Sequence, residues 1–286
     1  TSIIAWKNVD PLGAPALTAN PLITPRPRRR FSQNFLTDAR VIADIVRAIA
    51  PREGDRLVEV GPGYGALTAA LLEKAGSIDA VEIDRDAVAA LRQRFGDSLR
   101  VHEGDVLKFD FSALGAPLRV VGNLPYHIST PVLFRIDALS ASVADCHFML
   151  QKEVVERMVA MPGDSAYGRL SVMLQYQWRI ERLFDVPPGA FRPQPKVWST
   201  VLRMTPRGAG APRAKDEATF GRLVAAAFSQ RRKTLRNALR GLASEPALSA
   251  CGIDPGARGE TLSVADYLRL ADWLTLHPSQ PADRGG

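Results

Sequence analysis

The chain has little that could cross-link it or hold a metal. There are two cysteines, Cys146 and Cys251, and four histidines, none at metal-ligand spacing. A disulfide framework and a zinc site are therefore not expected, and a reducing compartment is. No apolar run approaches the ~18 residues of a membrane span. Residues 1–25 lack the basic start and long apolar stretch of a secretory signal. Two phosphate-binding signatures are also missing: the Gly-x-Gly-x-x-Gly of dinucleotide enzymes and the Gly-Lys-Ser/Thr of a P-loop. A cytoplasmic protein without metal or membrane follows as the expectation; an organellar origin stays open.

Positive charge is plentiful. The 286 residues carry a net charge of +7 and a pI near 9.7, which suits a polyanionic partner or serves solubility alone. Residues 1–27 are expected to be a poorly ordered extension, and basic residues crowd in around its end at Arg26, Arg28, Arg29 and Arg30. From residue 28 to 206 strands and helices alternate, which predicts an α/β fold with a mainly parallel, Rossmann-like sheet. The helix carrying Val41, Ile42, Ile45, Val46 and Ile49 has Thr37 or Asp38 to cap it. Strands are read at 56–60, 78–84, 99–103, from 120 and over 146–151. A last pair, 172–178 and 197–203, has no obvious helix between its members and closes the sheet edge antiparallel. Residues 205–213 read as a linker. Residues 207–286 are read as a small all-helical domain, with Phe220, Leu223, Val224, Leu235, Leu239, Tyr267 and Leu268 on its inner faces.

Glu59-Val60-Gly61-Pro62-Gly63-Tyr64-Gly65 lies at a strand-to-helix turn, where glycines let a ligand approach the backbone. Glu82 ends the next strand, where a carboxylate can accept from both hydroxyls of a ribose. Asp105 ends the third, well placed for an adenine amino group. The ligand that fits has a ribose and an adenine but no pyrophosphate, and S-adenosylmethionine is such a ligand. The strand from Val120 then runs into Asn123-Leu124-Pro125-Tyr126. An amide, a rigid proline and a ring suit a nucleobase. The Asn123 oxygen and the Leu124 or Pro125 carbonyl can accept the N–H groups of an adenine N6, aiming its lone pair at a methyl group. His127 is read as a loop or core histidine, because this chemistry does not call for an imidazole.

Together these stretches resemble the family of small-subunit ribosomal RNA adenine N6,N6-dimethyltransferases. The likeness rests on Gln33-Asn34-Phe35-Leu36, the glycine turn, Glu82-Ile83-Asp84, Gly104-Asp105, Asn123-Leu124-Pro125-Tyr126, Phe191-Arg192-Pro193-Gln194-Pro195-Lys196-Val197 and Arg231-Arg232-Lys233-Thr234-Leu235-Arg236-Asn237. It covers roughly residues 28–275. It implies S-adenosylmethionine-dependent dimethylation of two adjacent adenosines near the 3′ end of 16S ribosomal RNA, a role in small-subunit biogenesis, and a monomer. Asn34, Leu36, Gly61, Gly63, Glu82, Asp105 and Asn123 are then expected around the cofactor. Residues 123–126 form the base pocket, with Phe191 as a second ring. Arg222, Arg231, Arg232, Lys233, Arg236 and Arg240 are a solvated face or a phosphate-contacting one; beside an RNA-modifying domain the second is expected. Two alternatives stay open. One is the erythromycin-resistance class, which modifies large-subunit RNA. The other is a non-catalytic assembly or RNA-binding factor on the same fold.

Overall fold

The computed structural model describes residues 34–230 and 232–277. The expectations for residues 1–27, for Arg28, Arg29, Arg30 and Gln33, and for Arg231 lie outside the described residues.

Strand β1 (Phe35–Leu36) leads into helix α1 (Ala39–Ile49). The Asp38 carboxylate accepts the Arg40 and Val41 N–H groups at 2.8 and 3.2 Å, so it is the N-cap. Ile45, Val46 and Ile49 turn inward, and the helix stops at Ala50 just before Pro51. The chain then alternates: β2 (Leu57–Val60), α2 (Ala66–Ala75), β3 (Ile78–Glu82), α3 (Arg85–Phe95), β4 (Leu99–Glu103), β5 (Leu118–Asn123), α4 (Ser129–Asp137) and β6 (Val143–Gln151). After α5 (Lys152–Val159) and α6 (Arg169–Gln177) come β7 (Trp178–Val186), β8 (Phe191–Arg192) and β9 (Ser199–Pro206). The seven-stranded sheet has the order β4-β3-β2-β5-β6-β9-β7. Strands β2 to β6 are parallel; β9 is antiparallel to both its neighbours. The expected Rossmann-like sheet with an antiparallel edge is what forms.

Helices cover both faces, which is why the central strands are near-continuous apolar runs. On one face Ile45, Leu67, Leu71 and Leu91 pack against Leu57, Ala80 and Val121. On the other, Val132, Leu133, Val155, Met158, Leu170 and Leu174 pack against Val58, Val120 and Phe148. Each such fully buried side chain contributes about 1.5–3 kcal/mol of transfer free energy. Between β2 and β5 the packing is close: a Cβ on Gly122 would sit 2.5 Å from the Val60 carbonyl oxygen.

One expected strand is a helix. Residues 172–177 belong to α6, and the strand begins at Trp178. Leu170 and Leu174 join the sheet-side core, whereas Val172 and Tyr176 join a second core with Phe220, Val224, Leu239 and Tyr267. A helix buried on two opposite faces shows apolar residues at every second position, which imitates a strand. The second core is completed by α7 (Glu217–Ala227), α8 (Leu235–Ala238), α9 (Glu245–Ala250) and α10 (Val264–Leu276). Sequence periodicity points to α7, α8 and α10 but not to α9, which is only six residues long.

Candidate active site

Strands β2, β3, β4 and β5 end side by side, at the carboxyl edge where open α/β sheets bind ligands. The glycine turn leaves β2 there. Gly61, Gly63 and Gly65 adopt φ of 67°, 56° and 82°, a region open to glycine and costly for other residues. A Cβ on Gly63 would also lie 3.2 Å from the Phe35 ring, so the turn and the Asn-Phe-Leu stretch fit against each other. Tyr64 meets the same ring edge-on, with centroids 5.5 Å apart.

Glu82 closes β3 and is 4% exposed. Its Oε2 accepts the Gly63 N–H at 3.0 Å, and its Oε1 accepts those of Ile83 and Asp84 at 2.9 Å. Burial lifts its pKa above the ordinary carboxylate value, against the pull of these donors. A carboxylate has about four acceptor directions, so acceptor capacity remains. Asp105 is half-buried beyond the end of β4, and its Oδ1 accepts the Leu107 N–H at 2.9 Å.

Asn123 is the last residue of β5. Its Nδ2 donates to the Asn34 carbonyl at 3.2 Å, which brings two distant motifs together and leaves Oδ1 as the amide's other end. Leu124 is buried and its N–H bonds the Met149 carbonyl at 3.2 Å, pinning the loop to β6. Pro125 packs over the glycine turn, its Cδ 4.0 Å from where a Gly61 Cβ would stand. The Pro125 carbonyl accepts the Ile128 N–H at 3.1 Å. Tyr126 is half-buried, and its hydroxyl pairs with the Ser199 hydroxyl at 2.8 Å.

Strands β1 and β8 pair antiparallel, Phe35 with Arg192 and Leu36 with Phe191. This clip brings Asn34 and Leu36 beside the Phe191 stretch. It also encloses Phe191, which is 1% exposed and packs with Leu36, Leu67, Val121 and Met149. A ring so enclosed presents no open face, so a base can stack on it only if that cover shifts.

Three site features carried no clear sequence signal. Ser199, the partner of Tyr126, is an ordinary strand serine. The β1–β8 clip joins stretches too short to read as strands. Glu59, inside the glycine motif, is 2% exposed and accepts the Thr68 hydroxyl at 2.6 Å. Burial, with Glu82 nearby, raises its pKa to about 7.

The basic set lies on the C-terminal helices. Arg222 on α7, Arg232 and Lys233 before α8, and Arg236 on α8 are all exposed. Arg222 is 3.9 Å from Asp216 and Arg236 is 3.8 Å from Glu245, which are loose pairs. Among the described residues no group of His, Cys, Asp or Glu is placed to hold a metal ion. No described helix is long and apolar enough to cross a membrane.

A parallel sheet reversed at β9, with a glycine turn, a ribose-type acid and an Asn-Leu-Pro-Tyr loop at one edge, defines a Rossmann-like methyltransferase. A family model described as "Ribosomal RNA adenine dimethylase" matches residues 25–276, and the chain belongs to that family of enzymes. A protein of Aromatoleum aromaticum named "Ribosomal RNA small subunit methyltransferase A" is 59% identical over 250 residues, covering 87% of this chain and 94% of that one. A protein of the same name from Thiobacillus denitrificans is 54% identical, covering 87% and 98%. Among solved structures, a dimethyladenosine transferase from Plasmodium falciparum shares the fold with a TM-score of 0.74 at 24% identity, covering 85% of this chain and 98% of that one. The 23S rRNA methyltransferase ErmE gives a TM-score of 0.67 at 25% identity, covering 85% and 100%.

Proposed function

We propose that the chain transfers methyl groups from S-adenosylmethionine to N6 of two adjacent adenosines near the 3′ end of 16S ribosomal RNA. The observation that carries this is Asn123. Its amide nitrogen is held by Asn34, its loop rests on the glycine turn through Pro125, and the Tyr126 ring stands three residues on. One side chain thus lies between a cofactor cradle and a base-stacking residue.

The cradle suits the cofactor. Gly61 and Gly63 present backbone without Cβ atoms, Glu82 offers acceptors for ribose hydroxyls, and Asp105 has an oxygen for the adenine amino group. When bound, S-adenosylmethionine supplies a methyl carbon made electrophilic by its sulfonium. Asn123 Oδ1 accepts one N6–H of the target. The Leu124 carbonyl accepts the other, since the Pro125 carbonyl already serves Ile128. These bonds turn the N6 lone pair out of conjugation and toward the methyl carbon. Asn123 and Leu124 would in this way hold N6 in line with the methyl group to be transferred, and N6 would shed its proton to water. Positioning is the main contribution. Tyr126 stacks the extruded base, worth about 1–3 kcal/mol.

The relatives at 59% and 54% identity are named for the small subunit, whereas the likeness to the 23S enzyme stands at 25%. This favours small-subunit over large-subunit RNA. The intact Glu82, Asp105 and Asn123 favour catalysis over a purely structural role. In this reading residues 28–206 carry the chemistry and residues 207–286 grip RNA through Arg222, Arg231, Arg232, Lys233 and Arg236. The enzyme is a cytoplasmic monomer acting in small-subunit biogenesis. The test is transfer of labelled methyl groups to unmodified small and large subunits in parallel, with mapping of the modified base. Two neighbouring dimethylated adenosines in small-subunit RNA are expected. Label in large-subunit RNA would overturn the assignment.

A further inference from the structure

Immediately before β9 stands an indole that the reaction above does not use. Trp198 is 49% exposed, and Val197 beside it is 42% exposed. A large aromatic left in water at a sheet edge is unusual for a side chain that only packs. Its backbone is fixed, because the Trp198 carbonyl accepts the Lys152 N–H at 2.9 Å. Its neighbour Ser199 is buried and bonds the Tyr126 hydroxyl at 2.8 Å. Trp198 is therefore one residue from the group that holds the stacking tyrosine. It is also at the carboxyl edge, since Ser199 pairs with Gln151 at the end of β6. Successive side chains of an extended chain point to opposite sides. With Ser199 turned in toward Tyr126, Trp198 is turned out, beside the base pocket rather than inside it. Lys196, exposed two residues earlier, adds a cation to the same run.

We propose that Trp198 is a positioning residue: its indole stacks the nucleobase next to the adenosine being methylated, and Lys196 meets the phosphate alongside. This rests on the RNA methylation reading above and sharpens it. Two adjacent adenosines cannot both occupy one base pocket. While one is extruded, its neighbour loses a stacking partner, and an exposed indole beside the pocket replaces it. Any base has a face for such a contact, so the same ring can serve whichever adenosine is waiting.

The test is steady-state methyl transfer to unmodified small subunits by wild type, Trp198→Ala and Trp198→Phe, with S-adenosylmethionine affinity measured by calorimetry. For Trp198→Ala the KM for the subunit should rise by about tenfold or more, with kcat within about twofold and cofactor affinity unchanged. Trp198→Phe should recover most of that loss, and Lys196→Ala should lower the salt slope of RNA binding by about one. An unchanged KM in Trp198→Ala overturns the proposal. So does a fall in kcat and cofactor affinity that phenylalanine does not rescue, because Trp198 would then merely prop the Ser199–Tyr126 pair. If wild type itself methylates no small-subunit RNA, the underlying reading fails instead, and the two failures are distinct.

Discussion

At the carboxyl edge of the sheet the buried carboxylate of Glu82 is met by three backbone N–H groups, from Gly63, Ile83 and Asp84. At the opposite edge the charges meet one another. Arg119, at the start of β5, reaches Asp55 at 2.6 Å and Asp145 at 3.0 Å, and its Nη2 donates to the Ile49 carbonyl at 2.6 Å. The Arg119 side chain is 15% exposed, and its guanidinium also closes the C-terminal end of α1. Burial alone would make that guanidinium easier to deprotonate, but its two carboxylate partners outweigh it and raise its pKa. One edge leaves acceptor capacity open and the other uses it up. Binding chemistry needs the first arrangement and a stable fold is served by the second.

Substitutions at the two edges should therefore fail in opposite ways. The largest effect is expected for Asn123→Ala. It removes an acceptor that matters only when N6 is aligned, so methyl transfer should fall about 1,000-fold, equivalent to about 4 kcal/mol. Unfolding in urea should shift by only about 1 kcal/mol, from the lost hydrogen bond to the Asn34 carbonyl, and RNA binding should persist. A stability loss as large as the activity loss would erase the contrast between the edges. Next comes Arg119→Ala, which strands Asp55 and Asp145 in a half-buried setting. It should cost about 3 kcal/mol in urea unfolding, while the folded fraction keeps its kcat. A selective loss of kcat would mean that the amino edge takes part in the chemistry.

How much of this is legible in the sequence follows the same division. The glycine turn, Glu82, Asp105 and the Asn-Leu-Pro-Tyr loop each need particular residue types at particular strand ends, so the chain itself exposes them. The parallel sheet is legible because both its faces are buried and its central strands are near-continuous apolar runs. What escapes depends on partners far along the chain. Helix α6 reads as a strand because it serves two cores at once. The Tyr126–Ser199 bond spans 73 residues, and the β1–β8 clip joins two-residue strands. The enclosure of Phe191 is a property of that clip and not of its own neighbours in sequence. The Arg119 network likewise needs Asp55, on the loop before β2, brought together with Asp145 on β6.

Glu59 sits between the two regimes and offers the finest probe. It lies on β2 next to the carboxyl edge, yet it is 2% exposed and bonded to Thr68. Burial carries its pKa from an ordinary 4.5 to about 7, with Glu82 adding to the rise. The unfolded chain releases this proton near the ordinary value, and the folded chain holds it until about pH 7. The folded state thus binds more protons between those values, so stability falls as pH rises through the window and stays lost above it. Glu59→Gln keeps the acceptor for Thr68 and removes the titration. Relative to wild type the variant should gain about 2 kcal/mol in urea unfolding between pH 5.5 and pH 8. Equal slopes for the two proteins would mean that Glu59 is charged in the fold. A neutral Glu59 spares Glu82, whose own pKa burial already raises, the repulsion of a second carboxylate beside it.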